Sequence, residues 1–270
     1  MKLIRKLLFK IRRHFFPRRE EVRFPPPDIL HKMSWGYRDL YKLWGIRMPF
    51  FYFFEVHLFD LINGTDTHTA LPQGKYLDKP ENFDRGTFYM ATGTNELKNS
   101  FKVVQFALGE NFSKYSFVDL GCGKGKAMLV WQNELNKRKI PSPVIGIEYY
   151  APLVEIARQN YQKVFHQNCD IHTVDATNFD FSVLGQYLMV YMFNPFDAQL
   201  LDRVLSNIAN SHSALVFIYL NPIHSSVLVD HGYKLIYEKK GWNNTLWTMI
   251  FCNDAAIQNL ILSFRLESTN

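Results

Sequence analysis

The chain has 270 residues, 47% hydrophobic and 16% aromatic, enough apolar material for one large α/β core and too much for extended disorder. Its formal charge of +6 is unevenly placed: eight of the 31 basic residues precede the first acid, Glu20, leaving 23 basic against 25 acidic residues in the body. A body without surplus positive charge gives no support to a general nucleic-acid-binding surface.

The leader, "MKLIRKLLFKIRRHFFPRRE", spaces Leu3, Ile4, Leu7, Leu8, Ile11 and Phe15 along one side of a helix, with basic residues largely on the other. It reads as a basic amphipathic helix stopped near Pro17, too short and too charged to span a bilayer. Such a helix suits the headgroup layer of an anionic membrane, which makes residues 1–19 a peripheral membrane contact. A basic tail, or a helix packed on its own domain, is the other reading. An extended Pro-rich linker comes next, and residues 1–27 form one unit.

From Met33 to Ile62 the chain is rich in aromatics, notably "MPFFYFFEVHLFDLI", interrupted by Arg47, Glu55, His57 and Asp60. These charges argue against a transmembrane helix. The stretch is expected to form an N-terminal helical cap over the active site, with a membrane-facing role as the alternative. Gly64, Pro72, Gly74 and Pro80 make the next segment loop-like. Residues 28–98 are assigned to this cap and its cofactor-covering segment.

The most informative stretch is "FVDLGCGKGKAMLV", Phe117 to Val130. A P-loop would need glycine at Leu120 and a hydroxyl at Ala127, and a dinucleotide fingerprint would need G-x-G-x-x-G, whereas Gly121, Gly123 and Gly125 alternate. Alternating glycines permit a tight turn and close approach of a ligand to the backbone. Asp119, two residues before the first glycine, favours a cation over a pyrophosphate. The segment "VDLGCGKGK" resembles motif I of the class I S-adenosyl-L-methionine (SAM) dependent methyltransferases, in which the loop wraps the methionine part of SAM.

Beyond Tyr115, apolar runs of strand length alternate with helical patterns, as in a parallel sheet covered on both faces. Strands are expected at Ser116 to Gly121, Val144 to Glu148, Asp170 to Val174, Tyr187 to Phe193 and Ala214 to Leu220. Helices are expected near Lys126 to Arg138, Pro152 to Phe165 and Asp197 to Ala209. Tyr233 to Lys239 and Thr245 to Cys252 read as a terminal strand pair. The resemblance implies a Rossmann-like seven-stranded sheet with an antiparallel last hairpin, placed at residues 99–254 and succeeded by a tail, 255–270.

Ligands of open α/β sheets sit at the carboxyl ends of strands. Glu148 ends the second strand and can accept hydrogen bonds from ribose hydroxyls. Asp175, with Ala176, resembles the position that holds the adenine amine; capping the next turn is its alternative role. Asn194, Pro195 and Phe196 in "YMFNPF" resemble the short motif IV of amine and amide methyltransferases, which orients a nitrogen nucleophile. A proline turn capped by Asn194 is the alternative. "RGTFYMATGTNEL", Arg85 to Leu97, is similar to a segment that folds over SAM in a little-characterised bacterial group, with Tyr89 and Thr92 at its matching positions. Several such motifs in one order, from Phe53 to Lys239, are more specific than any one alone.

Cys122, Cys169 and Cys252, odd in number and far apart, fit neither a disulfide framework nor a zinc signature, and point to a reducing, cytoplasmic setting. The histidines show no metal-ligand spacing, so no metal is expected. The resemblance implies an enzyme that uses SAM to methylate a nitrogen or oxygen acceptor, whether protein, sugar or small molecule. The rival readings are a non-catalytic SAM-binding or membrane-tethered module and, more remotely, a dinucleotide oxidoreductase.

Overall fold

A computed structural model describes residues 36–71, 85–209, 214–240 and 247–261. The leader, its linker, the prolines and glycine at positions 72–80, and most of the C-terminal tail lie outside the described residues.

The chain opens on α1 (Tyr37–Trp44), α2 (Arg47–Tyr52), a π-helical turn (Phe53–His57) and α3 (Leu58–Asn63). Leu40 and Trp44 of α1, and Met48 and Tyr52 of α2, are each about one helical turn apart, and the four cluster with Phe88 and Met90. Gly64, left-handed at φ 66, ends α3. In α4 (Thr94–Leu108) the buried residues Leu97, Phe101, Val104 and Leu108 keep the same period. The Glu55 carboxylate accepts a hydrogen bond from the Asn95 amide at 2.8 Å, satisfying one of the unpaired donors at the start of α4. Because α4 runs through residues 98 and 99, the boundary expected there falls inside a helix of the main core.

Next come β1 (Ser116–Leu120), α5 (Lys126–Arg138), β2 (Val144–Glu148), α6 (Ala151–Phe165), β3 (Asp170–Thr173), β4 (Tyr187–Phe193), α7 (Ala198–Ala209), β5 (Ala214–Leu220), α8 (Ser225–Asp230), β6 (Lys234–Lys240), β7 (Trp247–Cys252) and α9 (Asp254–Gln258). They build one seven-stranded sheet in the order β3-β2-β1-β4-β5-β7-β6. The first five strands are parallel, and β7 runs antiparallel to both β5 and β6. This is the Rossmann-like α/β sheet the resemblance implies.

The central strands are apolar throughout because both faces are covered: every residue of β2 and β5 is buried. On one face, Phe101 and Trp131 of α4 and α5 and Val154 of α6 meet Phe117, which stacks on Trp131 at 4.0 Å. On the other, Leu201 and Leu205 of α7 and Leu228 of α8 meet Val190 and Phe217. The described start of the tail also joins the core through Ala256 and Leu260. The sheet order reverses between β1 and β4, which opens a crevice at their carboxyl ends.

Candidate active site

The crevice is built first by the loop after β1. Gly121, Gly123 and Gly125 take φ of 73, 53 and 81, an alternation of left-handed residues that only glycine adopts without strain. A Cβ on Gly123 would also run into the Tyr89 ring. The loop is tied to the end of β2: the Gly121 amide donates to the Ile147 carbonyl at 2.9 Å, and the Gly123 amide to Glu148 Oε2 at 2.9 Å. Glu148 Oε1 accepts from the Tyr150 amide at 3.0 Å. Burial pushes the Glu148 pKa up, and these backbone donors oppose the rise.

Asp119 stands near the end of β1, only 3% exposed, with no hydrogen bond or ion pair found to its carboxylate among the described residues. It borders a small pocket of about 30 Å³ with Thr92 and Tyr191. Burial, and then the charge of Glu148, raises its pKa well above the usual carboxylate range. A buried carboxylate held this way is costly until a cation meets it.

The two lysines of the loop face the cap. Lys124 Nζ pairs with Asp66 at 2.9 Å. Lys126 Nζ donates to the Glu55 carbonyl at 2.9 Å and lies beside that of Val56, both in the π-helical turn. Burial lowers the Lys126 pKa to about 7. Asn160 of α6 joins this seam, donating to the carbonyls of Asp66 and Lys124.

A strap, residues 85–92, closes the crevice from above. Thr87 Oγ1 donates to the Asn194 carbonyl at 2.7 Å and the Thr87 amide to the Pro195 carbonyl at 3.1 Å. Arg85 pairs with Asp197 at 2.8 Å. Tyr89 donates its hydroxyl to the Thr67 carbonyl at 2.7 Å, and Thr92 Oγ1 lies 2.7 Å from the Tyr191 hydroxyl. Beneath the strap lies a cleft of about 760 Å³, open mouth included, lined by Gly121, Glu148, Asp175, Ala176, Tyr89, Pro195 and Phe196. The site residues expected from sequence thus fall around this cleft, its adjoining cavity and the loop beside them.

Two of them are engaged locally. Asp175 Oδ1 accepts from both the amide and the hydroxyl of Thr177, at 2.8 and 2.7 Å, as a turn-capping aspartate does. Asn194 is left-handed at φ 42, and its Oδ1 accepts from the Tyr219 hydroxyl at 2.8 Å. Sequence reasoning missed Tyr219, Thr87 and Lys126. Tyr219 lies near the carboxyl end of β5, so the strand-end rule could have found it. Thr87 and Lys126 carry no local signal, since their partners lie 107 and 71 residues away.

The spacing of the histidines likewise hid one cluster. Asp60, Asp66 and His68 bring ligand atoms within 4.8 Å of one another. Asp60 accepts hydrogen bonds from Thr65, Thr67 and His68, and Asp66 is paired with Lys124, so these groups are committed to holding the loop after α3.

Residues 111–240 match the family model described as a methyltransferase domain, a span that covers β1 to β6. The release factor glutamine methyltransferase of Haemophilus influenzae is 23% identical over 178 residues, 64% of this chain and 56% of that protein. The chain therefore matches little more than half the length of that relative. Among solved structures, the magnesium protoporphyrin IX methyltransferase of Synechocystis with bound SAM is similar over 58% of this chain and 78% of that one, at 15% identity and a TM-score of 0.43. TrmN from Thermus thermophilus is similar over 59% of this chain and 48% of its own, at 11% identity and a TM-score of 0.45.

Proposed function

We propose that the protein transfers a methyl group from SAM to a nitrogen or oxygen acceptor. The observation that carries this reading is Asp119: a buried carboxylate without a protein partner among the described residues, set beside a glycine loop that leaves room for a ligand and offers it no phosphate-binding cation. These residues fit a cofactor whose amino group is positive.

In this reading Asp119 meets the amino group, and Gly121, Gly123 and Gly125 let the methionine part lie against the backbone. Glu148 accepts from the ribose hydroxyls with the lone pairs its two amide donors leave. Asp175 and Ala176 border the adenine, and Tyr89 and Thr92 cover the cofactor. SAM supplies an activated methyl group on a sulfonium, so the chain needs to align the acceptor rather than to provide a strong base. Asn194 orients the acceptor, with Pro195 and Phe196 shaping its pocket. The leader, residues 1–19, is the segment suited to an anionic membrane surface.

The test is calorimetric titration of S-adenosylhomocysteine into the protein beside an Asp119→Ala, Glu148→Ala double variant. Micromolar binding, about 8 kcal/mol, that the variant loses supports the cofactor site; no binding to the folded protein refutes it. A second reading, a SAM-binding module without turnover, draws on one observation: Asn194 Oδ1 and the Asn194 and Pro195 carbonyls are already held by Tyr219 and Thr87. Transfer of labelled methyl from SAM to any component of a cell extract, lost in Asn194→Ala, removes that second reading.

A further inference from the structure

The outer surface of the cap is unlike the rest of the molecule. Eight of the large apolar side chains exposed among the described residues fall between Tyr37 and Ile62, and the other five are scattered over the remaining elements. The helix geometry separates the two sides. Met48 and Tyr52 face the strap, and Phe50 and Phe54, two positions on, lie about 200° round the helix axis. Phe50 and Phe54 are each 60% exposed, Leu61 60% and Ile62 73%. A cap that only had to cover a cleft would carry polar residues there, because four large apolar side chains in water gain nothing from folding.

Charge completes the picture. Two acids of these helices turn inward: Glu55 binds the start of α4, and Asp60 is buried under the hydroxyls of Thr65 and Thr67. Arg38 and Lys42 are exposed on α1. The described chain begins at Gly36, directly before α1, and the segment that joins it there carries eight basic residues ahead of its first acid. No helix among the described residues is long and apolar enough to cross a membrane. Aromatic and aliphatic side chains beside lysine and arginine, on a surface that does not span, match the interface of an anionic bilayer.

We propose that the outer face of α2 to α3, through Phe50, Phe54, Leu61 and Ile62, is a membrane-docking surface that inserts among the headgroups of an anionic bilayer. This deepens the reading of the leader as a surface-seeking segment and rests on it for the electrostatic part. The leader draws the protein to negative charge, and the cap supplies the apolar burial that holds it there. Because the inner face of the same helices packs on Phe88 and Met90 of the strap, docking sets the membrane against the lid of the cleft.

The experiment is vesicle flotation of the full chain, comparing phosphatidylcholine vesicles with vesicles containing about a quarter phosphatidylglycerol. A Phe50→Ser, Phe54→Ser, Ile62→Ser variant and a chain lacking residues 1–19 are run in parallel. Melting temperature and S-adenosylhomocysteine binding serve as checks that each variant is folded. The expected result is that the wild type floats with the anionic vesicles and that the triple variant, with its leader intact, binds them at least about tenfold more weakly. If removal of the leader abolishes flotation and the triple variant floats like the wild type, the leader reading stands and the docking surface is overturned. A wild type that sediments as a dimer and a triple variant that sediments as a monomer, with equal flotation, would assign the face to a second copy of the chain and overturn the proposal equally.

Discussion

Asp119→Asn separates what the carboxylate costs the fold from what it gives the ligand. The side chain keeps its size and loses its charge. In the folded chain the carboxylate is 3% exposed, close enough to Glu148 to feel its charge, and without a protein donor among the described residues. Burial and the charge of Glu148 raise the carboxyl's pKa on folding, a cost the asparagine does not carry, so the variant is expected to be more stable at neutral pH, by about 2–4 °C in Tm for each kcal/mol regained. The sign comes from linkage. A carboxyl whose pKa is raised by folding makes stability fall as pH rises from the ordinary carboxylate range through the folded value, and the variant lacks that fall. Cofactor binding moves the other way. Loss of one charge-assisted hydrogen bond to the amino group, about 1.5–3 kcal/mol, weakens S-adenosylhomocysteine about 10- to 150-fold. Wild-type affinity should also strengthen as pH rises and Asp119 ionises, and the variant's should not. Scanning fluorimetry and calorimetry across about pH 5 to 8 measure both. A variant that melts lower at neutral pH, or binds as tightly as the wild type, refutes the assignment.

Other outcomes rest on the same geometry. Tyr219→Phe removes the donor to Asn194 Oδ1 and should lower kcat with an identified acceptor about tenfold or more while leaving S-adenosylhomocysteine affinity unchanged; a matching loss of affinity would give Tyr219 a structural role instead. Burial lowers the Lys126 pKa to about 7, so the unfolded chain holds a proton that the folded chain has lost between about pH 7 and 10, and stability should rise with pH across that window. Lys126→Met should flatten the rise, and equal slopes in urea melts of the two proteins would contradict it. Gly123→Ala places a methyl group against the Tyr89 ring at a left-handed position and should destabilise the fold by about 1–3 kcal/mol. Adding Tyr89→Ala should restore part of that loss, and no restoration would mean that the backbone strain alone is responsible.

Much of the architecture was legible along the chain. The runs Val144 to Glu148, Tyr187 to Phe193 and Ala214 to Leu220 are apolar because both sheet faces are covered, and the described strands coincide with them. The three alternating glycines and the acids Asp119 and Glu148 stand out for the same reason: a left-handed turn and an ion at a strand end demand particular residue types at fixed spacing. What no local pattern carried is how distant segments use one another. Nothing in the loop's sequence tells what Lys124 and Lys126 bind, and the fold brings Asp66 and the Glu55 carbonyl to them. Asn194 looks like an open acceptor-orienting residue until Tyr219 and Thr87 arrive from β5 and the strap. Sequence periodicity reports which face of an element is buried, because burial repeats with the helix or strand. A hydrogen bond between residues a hundred positions apart repeats with nothing, and only the packed chain decides which buried charge is satisfied.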